Sequence, residues 1–124
     1  MEEKKVPNID DGNADEDALT ELSMQILIHA GNARDETVNG LTKLEDGEFA
    51  EAMKHMQASR KEIVVAHGLQ TSTLQKEAEG INIRYSPLFC HAQDTLMTAQ
   101  SELLIAEHLV KLFKRFEDKE EAND

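Results

Sequence analysis

Apolar side chains recur along this chain every three or four residues, which is the period of one face of an α-helix. In a first segment over residues 17–44, the repeating positions are Leu19, Leu22, Ile26, Ala30, Ala33 and Leu41, with a gap at Thr37. An aspartate at position 15 or 17 can cap this predicted helix, and Gly47 is typical of the turn that ends one. Gly31 and Gly40 lie inside the pattern and indicate either close approach of another helix or a mild bend.

A second segment over residues 48–78 carries a heptad-like seam, because its repeating positions alternate in steps of three and four. These positions are Phe49, Ala52, Met56, Ser59, Ile63, Ala66, Leu69 or Gln70, and Thr73. Ser59 and Thr73 are the polar members of the seam, and either hydroxyl can bond back to a carbonyl one turn earlier in the same helix.

A third helix is predicted from Pro87 to about Phe116 or a little beyond, because Ser86 is a preferred cap and proline suits the first helical position. Its first apolar stripe consists of Ala92, Leu96, Ala99, Leu103, Ala106, Val110 and Phe113. A second stripe, displaced by about 100°, consists of Leu88, His91, Thr95, Thr98, Glu102, Ile105, Leu109, Leu112 and Phe116.

The two stripes together predict an assembly. The first stripe is sufficient for an all-α fold, an antiparallel three-helix bundle. The second stripe would then leave large apolar side chains exposed, and a soluble monomer rarely exposes such a patch. We therefore expect an oligomer with the third helix at its centre.

Composition excludes several other classes of protein. Aromatic residues are 4% of the 124, with two prolines and six glycines, which is too few for a β-sandwich or barrel. At 40% hydrophobic residues, the chain is not disordered as a whole. The longest uncharged stretch, residues 63–75, is too short to span a bilayer, which takes about 20 residues. With no visible signal peptide and one cysteine, we expect a cytoplasmic protein without direct membrane insertion.

Charge divides the chain into a body and two ends. The net charge of −12 argues against nucleic acid as a partner. Residues 1–18 hold seven acids and two lysines, and residues 117–124 hold five acids and one lysine. Because these ends lack apolar periodicity, we predict acidic disordered tails over residues 1–16 and 118–124, with one domain over residues 17–117.

The second stripe of the third helix also carries polar groups. His91 and Asp94 are three residues apart and project from neighbouring positions. Such a pair is either a satisfied structural contact or part of a site, and alone it offers too few ligands for zinc. His91 is the fifth helical residue, and the nearby positive helix end favours a neutral, nucleophilic imidazole and helps to hold an anion. A histidine that accepts a phosphoryl group needs both properties.

The segment HAQDTLMTA at residues 91–99 closely resembles the active-site helix of the lactose/cellobiose type of enzyme IIA. These proteins are cytoplasmic components of the bacterial phosphoenolpyruvate-dependent sugar phosphotransferase system. MQILIHAGNAR at residues 24–34 is similar to the first helix of that family. AHGLQT at 66–71, followed by LQKEA at 74–78, is similar to the end of its second helix. The resemblance covers about residues 18–116 in the family's order.

The resemblance implies a three-helix bundle that assembles as a homotrimer with the third helices inside. It also implies that His91 accepts a phosphoryl group from the phosphocarrier protein HPr and passes it to a cysteine of enzyme IIB. A disaccharide of the lactose, cellobiose or chitobiose class is then phosphorylated during uptake through the membrane component IIC.

Two further site residues follow from the resemblance. Gln93 matches a glutamine next to that histidine and is expected to hydrogen-bond a phosphoryl oxygen. Asp94 matches an aspartate that the family gathers, one from each subunit, around a metal ion on the threefold axis. Because three convergent carboxylates repel, a hard cation is needed, and one Mg²⁺ per trimer is expected. Thr95 stands where the family often has a second histidine, and its hydroxyl and that of Thr98 are expected beside the phosphoryl group.

The other histidines and the cysteine have structural interpretations. His29 and His67 are expected to pack or cap, and His55 and His108 to be solvated. Cys90 precedes the predicted phosphoacceptor, but no base pairs with it, so a buried structural cysteine is expected.

Two other classes of protein fit the same residues. One is a helical adaptor in which His91 and Asp94 form a buried polar spacer. The other is a small metal-binding bundle that uses these two residues with residues of a partner chain. Phosphoryl transfer from HPr distinguishes the carrier from both, and metal content distinguishes the two from each other.

Overall fold

A computed structural model describes residues 13–123 and contains three α-helices. Helix α1 comprises Asn13–Glu45, α2 comprises Phe49–Ala78 and α3 comprises Pro87–Asn123. Short connections make consecutive helices antiparallel, so α1 and α3 run in the same direction. Residues 13–123 contain no strand, and none of their helices is long and apolar enough to cross a membrane. The predicted all-α three-helix bundle is confirmed.

Three helix ends use the predicted turn and cap residues, but the predicted cap of α1 at Asp15 or Asp17 is wrong, because α1 begins at Asn13 and both positions lie inside it. Gly47 and Gly80 have φ angles of 76° and 100°, in the left-handed region that favours glycine. In both turns the N–H after the glycine donates to the carbonyl five residues earlier at 3.0 Å, which is a Schellman motif. Before α3, the Ser86 Oγ accepts a hydrogen bond from the Phe89 N–H at 3.1 Å, so the predicted cap is confirmed.

The core lies between the predicted stripes. In α1 from residue 18 onward, the buried positions are Leu19, Ser23, Ile26, Ala30, Ala33, Thr37 and Gly40. In α2 they are Ala52, Met56, Ser59, Ile63, Ala66, Gln70 and Thr73. In α3 they are Phe89, Ala92, Leu96, Ala99, Leu103, Ala106 and Val110. Phe113, predicted to continue this last stripe, is 49% exposed, because α3 extends past the other two helices after Val110.

The apparent gap at Thr37 is filled by a hydrogen-bonded contact between helices. The Thr37 and Ser59 hydroxyls lie 2.8 Å apart, and Ser59 donates to the Ala33 carbonyl of α1 at 2.8 Å. The expected bond of Ser59 to its own helix is therefore wrong, because the partner lies across the interface. Thr73 does donate to the Leu69 carbonyl one turn earlier, at 3.0 Å.

One of the two glycines within α1 marks a close helix approach. A Cβ on Gly40 would lie 2.7 Å from the Met56 Cε and 3.2 Å from the Ala52 carbonyl oxygen of α2. A Cβ on Gly31 would meet no atom within 4 Å. Close packing therefore explains Gly40 alone.

Both predicted domain boundaries differ from the helix ends. Residues 13–16 belong to α1, so the predicted N-terminal tail is too long by these four residues; the rest of it lies outside the described residues. The boundary at residue 117 is also wrong, because α3 continues to Asn123. Residues 117–122 contain good helix formers and no glycine or proline, and Lys114 pairs with Asp118 at 2.7 Å, one turn apart.

Candidate functional site

One side of α3 has no cover within the chain. We call it the outer face of α3 and define it by Asp94, Met97, Ser101, Leu104, Ile105 and Leu112. At about 100° per residue, Asp94 lies on the opposite side of α3 from the fully buried Leu103. Ile105 is 61% exposed, so the predicted exposed stripe is confirmed at its centre. The face is wider than predicted, because Met97 and Leu104 are also exposed. These two residues are seven apart, so helical spacing could have shown that they share one side of α3.

His91 is exposed and lies on the side of α3 nearest α1. That side, the α1 flank, is marked by Glu102, whose carboxylate pairs with Arg34 of α1 at 3.0 Å. His91 precedes Glu102 by eleven residues, which turns the helix by three turns and about 20°. The exposed imidazole therefore sits near the start of α3 and is open to a macromolecular partner.

Gln93 lies on the other side of α3. This α2 flank is marked by Glu107, which accepts two hydrogen bonds from the Arg60 guanidinium of α2, one from Nε at 2.9 Å. The bonds to Glu107 raise the pKa of Arg60. Fourteen residues separate Gln93 from Glu107, an angular difference of about 40°, whereas Gln93 and His91 differ by about 200°. The structure does not bring His91 and Gln93 of one chain together.

Two expected phosphate donors are already engaged. The Thr95 hydroxyl donates to the His91 carbonyl at 2.8 Å, and the Thr98 hydroxyl donates to the Asp94 carbonyl at 2.6 Å. Each hydroxyl proton is used within α3, as is common for threonine in helices. In this chain neither hydroxyl offers its proton to a phosphoryl group on His91.

The Asp94 carboxylate is exposed at the N-terminal end of the outer face. Within residues 18–123, no three His, Cys, Asp or Glu side chains gather as a metal site. One chain therefore supplies a single carboxylate, and a cation site at Asp94 requires several copies. Three Asp94 carboxylates, one from each of three copies, would offer the negatively charged oxygen ligands that Mg²⁺ prefers.

The other histidines are more engaged than expected. The Nδ1–H of His29 donates to Glu62 at 2.8 Å, consistent with a packing role. His55 was expected to be solvated, but its Nδ1–H donates to Glu36 of α1 at 2.7 Å, so that expectation is wrong. The Nδ1 of the exposed His108 lies 2.9 Å from the Leu104 carbonyl oxygen, one turn earlier in the same helix.

Cys90 is exposed, not buried as predicted. Phe89, its neighbour in sequence, takes the buried position on the helix instead. The core stripe of α3 thus includes position 89, and the adjacent residue is turned by about 100° toward the outer face.

An open cleft of about 480 Å³ lies on the α2 flank, a feature that the sequence did not predict. Its lining includes Arg60, His67, Thr71, Gln75 and Gln100. His67 was expected to pack or cap, and it lies 3.4 Å from the Thr71 hydroxyl at this surface. The Gln100 Oε1 is buried and accepts no hydrogen bond from residues 18–123.

Residues 21–114, which include the whole candidate site, match the family model of the lactose/cellobiose-specific IIA subunit of the phosphotransferase (PTS) system. The chain belongs to this family. It is 38% identical over 94 residues to the lactose-specific EIIA component of Staphylococcus aureus strain N315, covering 76% of this chain and 91% of that relative.

Solved structures of the family share the fold. The cellobiose-specific enzyme IIA of Bacillus anthracis superposes with a TM-score of 0.75 at 34% identity, covering 82% of this chain and 93% of that one. A IIA(chitobiose) chain of Escherichia coli, solved in complex with HPr, superposes with a TM-score of 0.66 at 30% identity, covering 80% and 96%. The names of these three relatives give three sugar specificities, for lactose, cellobiose and chitobiose.

Proposed function

We propose that this chain is a cytoplasmic phosphocarrier of the sugar phosphotransferase system and that His91 is its phosphoacceptor. The observation that carries the proposal is the exposed imidazole of His91, near the start of α3 and inside the segment that matches the family model. The positive end of α3 favours the neutral ring before transfer and the phosphoryl charge after it.

The transfer needs only positioning and charge stabilisation from this chain. The lone pair of the His91 Nε2 forms a bond to phosphorus while the bond between phosphorus and the HPr donor group breaks, and its electrons leave with the donor. In the next step a cysteine thiolate of enzyme IIB attacks the same phosphorus, and the electrons of the N–P bond return to Nε2. A phosphorylated imidazole suits a carrier because its N–P bond is labile.

HPr is the proposed donor because a structural relative, the IIA(chitobiose) chain, was solved in complex with it. Enzyme IIB is the proposed acceptor because the chain belongs to a family of PTS subunits. The acidic balance of the chain, −12, suits a basic donor surface. The sugar belongs to the lactose, cellobiose or chitobiose class, matching the relatives found.

The proposed active form is a homotrimer with the α3 helices inside. The outer face of α3 supports this arrangement, since its exposed apolar side chains need cover. Three Asp94 carboxylates would meet on the threefold axis, and Mg²⁺ is the ion proposed to bind them. Bound there, the ion neutralises their mutual repulsion.

The test is labelling with phosphoenolpyruvate in the presence of enzyme I and HPr. One acid-labile, base-stable phosphate per chain is expected, and none on His91→Ala, whose helicity should match that of the wild type. His67→Ala is the matched control, because His67 is also exposed and should retain the label. Label that persists in His91→Ala would refute the assignment, and a chain that accepts no phosphate would support an adaptor or metal-binding bundle.

A further inference from the structure

A second histidine of α3, His108, lies on the outer face of that helix. Its side chain is exposed, and around the helix it falls between Leu104 and Ile105, which are exposed as well. Val110 is buried in the core two residues further on, which is a turn of about 200° around the helix. The imidazole of His108 is therefore directed away from the core of its own chain.

The hydrogen bond of His108 fixes which of its ring nitrogens is free. Its Nδ1 lies 2.9 Å from the Leu104 carbonyl oxygen, and a carbonyl can only accept, so Nδ1 carries the proton. In the neutral ring, Nε2 then keeps its lone pair. Metal-binding histidines are commonly held in this way, with one nitrogen donating to a carbonyl and the other on the metal. His108 is thus oriented as a ligand before any ion binds.

The spacing between His108 and Asp94 places them at the same position of a heptad. Fourteen residues separate them, which is two heptads, with Ser101 halfway. They differ by about 40° around a straight helix, and a left-handed supercoil removes this difference. If three parallel α3 helices bring their Asp94 side chains together on a threefold axis, their His108 side chains also meet there, about 21 Å further along.

Large apolar side chains flank the level of His108 on the outer face. Ile105 lies about one turn before it and Leu112 about one turn after it, and both are exposed in the single chain. In the proposed homotrimer they would form apolar layers on either side of the three imidazoles. Three Nε2 lone pairs would then face one another without a donor, and buried unsatisfied acceptors are costly. A cation that takes all three lone pairs removes this cost.

We propose that the three His108 side chains of the homotrimer bind one Zn²⁺ ion through their Nε2 atoms. Three imidazoles and a water molecule make a tetrahedral zinc site. Imidazole suits Zn²⁺, whereas Mg²⁺ prefers oxygen ligands, so this site differs in chemistry from the one proposed at Asp94. Within residues 18–123, no single chain gathers three metal ligands, so the zinc site forms only in the assembly. The inference rests on the homotrimer of the proposed function.

The experiment is zinc loading of Asp94→Leu trimers, in which the carboxylate site is removed. After incubation with Zn²⁺ and dialysis, elemental analysis should give one Zn²⁺ per three chains, and so should the wild type loaded with Zn²⁺ in excess Mg²⁺. Adding His108→Leu should reduce the zinc to a trace and weaken its binding more than about a hundredfold, because all three ligands are lost. The leucine continues the apolar layers and should keep the trimer, which light scattering checks.

His67→Ala is the matched control, because His67 is also exposed but lies on α2, away from the outer face of α3. In the Asp94→Leu background it should keep one Zn²⁺ per three chains. Phosphoryl labelling of the His108→Leu variant by phospho-HPr should match that of the wild type, since His108 lies about 25 Å along α3 from His91.

Three results would overturn the zinc site: trimers that bind no zinc, zinc that stays in His108→Leu trimers, or one ion per chain. None of them affects the labelling of His91, so the proposed phosphocarrier function would stand. A monomeric wild type would overturn the zinc site together with the proposed assembly. A wild type that binds zinc as expected but accepts no phosphate would refute only the carrier function.

Discussion

The hydroxyls of Thr37 and Ser59 show how single polar residues fix the register of two helices. Both are buried, and together they join α1 to α2 through one hydroxyl pair and the Ala33 carbonyl. An apolar side chain at either position would leave the other hydroxyl buried with fewer partners, which costs more than the bond contributes. These small polar residues therefore specify how α1 and α2 align.

The first prediction concerns this pair. Ser59→Ala should lower the free energy of unfolding by about 1–3 kcal/mol, because it leaves the Thr37 hydroxyl buried and unsatisfied. The double variant Thr37→Val/Ser59→Ala should recover part of the loss. Urea unfolding at fixed protein concentration measures both, and Thr42→Ala, at an exposed hydroxyl, should stay within about 0.5 kcal/mol of wild type. If the loss of unfolding free energy in the double variant equals the sum of the losses in Thr37→Val and Ser59→Ala, the two hydroxyls are not coupled and the prediction is wrong.

The second prediction compares two glycines of α1. Gly40→Ala should destabilise the bundle by about 1–3 kcal/mol, because its Cβ would press on the Ala52 backbone and the Met56 side chain of α2. Gly31→Ala should instead stabilise it by up to about 1 kcal/mol through helix propensity, since its Cβ meets nothing within 4 Å. Thermal unfolding measures whether each variant is less or more stable than the wild type. Equal changes in stability for the two variants would show that the close approach of α2 to Gly40 does not matter.

The sequence predicted which face of a helix is buried better than it predicted the surroundings of individual residues. Helical periodicity correctly assigned the buried seam of α2, whose members share one side of the helix. It could not assign Cys90, because an error of one position turns a side chain by about 100°. It also could not find the partners of His55 and Ser59, because both contacts cross from α2 to α1 and depend on the register between the helices.

At the scale of helices, polar contacts reinforce the apolar packing of α1 on α2. Glu62 of α2 accepts hydrogen bonds from His29 at 2.8 Å and from Asn32 at 3.1 Å. These hydrogen bonds lower the pKa of Glu62, and the bond from His29 has the larger effect. The turn signal at Gly47 predicts the end of α1, whereas the start of α1 and the extension of α3 to Asn123 do not follow from cap residues or from charge.

The third prediction follows from the lowered pKa of Glu62. A carboxylate whose pKa is lower in the folded state contributes stability above its unfolded pKa and loses that contribution as the pH falls through the folded value. Glu62→Gln should therefore be less stable than wild type near neutral pH, and the difference should shrink at pH values below the ordinary carboxylate pKa of 4.5. Urea midpoints across this range measure it. Glu77→Gln, an exposed acid of α2, should show a smaller difference, and a gap that widens in acid would contradict the prediction.

At the scale of the whole molecule, one chain leaves two needs unmet: cover for the outer face of α3 and ligands for a cation at Asp94. The proposed ring of three copies, with Mg²⁺ held by three Asp94 carboxylates, would meet both. The exposed apolar stripe of α3 indicates an oligomer, because periodicity shows which face of a helix is uncovered. It does not show how many subunits assemble, so the expectation of three subunits depends on the family resemblance.

The fourth prediction concerns the proposed metal. Asp94→Asn should reduce bound Mg²⁺ from one per trimer to a trace, because a neutral amide is a poorer ligand for a hard cation. Elemental analysis after dialysis measures the content, and Asp46→Asn, in the exposed turn after α1, is the matched control. Asp94→Leu removes the carboxylate repulsion and should keep the trimer without metal. Unchanged metal content in Asp94→Asn would refute the assignment.

The fifth prediction tests the assembly. Light scattering at micromolar concentration should give about three times the chain mass of 13.9 kDa for the wild type. Ile105→Glu should reduce this to the mass of one chain, because a carboxylate at the centre of the outer face would be buried unpaired in the trimer. Helicity should survive, since Ile105 is 61% exposed in the single chain. Val38→Glu is the matched control, because Val38 is 60% exposed on α1, away from the outer face, and this variant should remain trimeric. A monomeric wild type, or equal masses for the two variants, would show that the outer face of α3 is not the assembly surface.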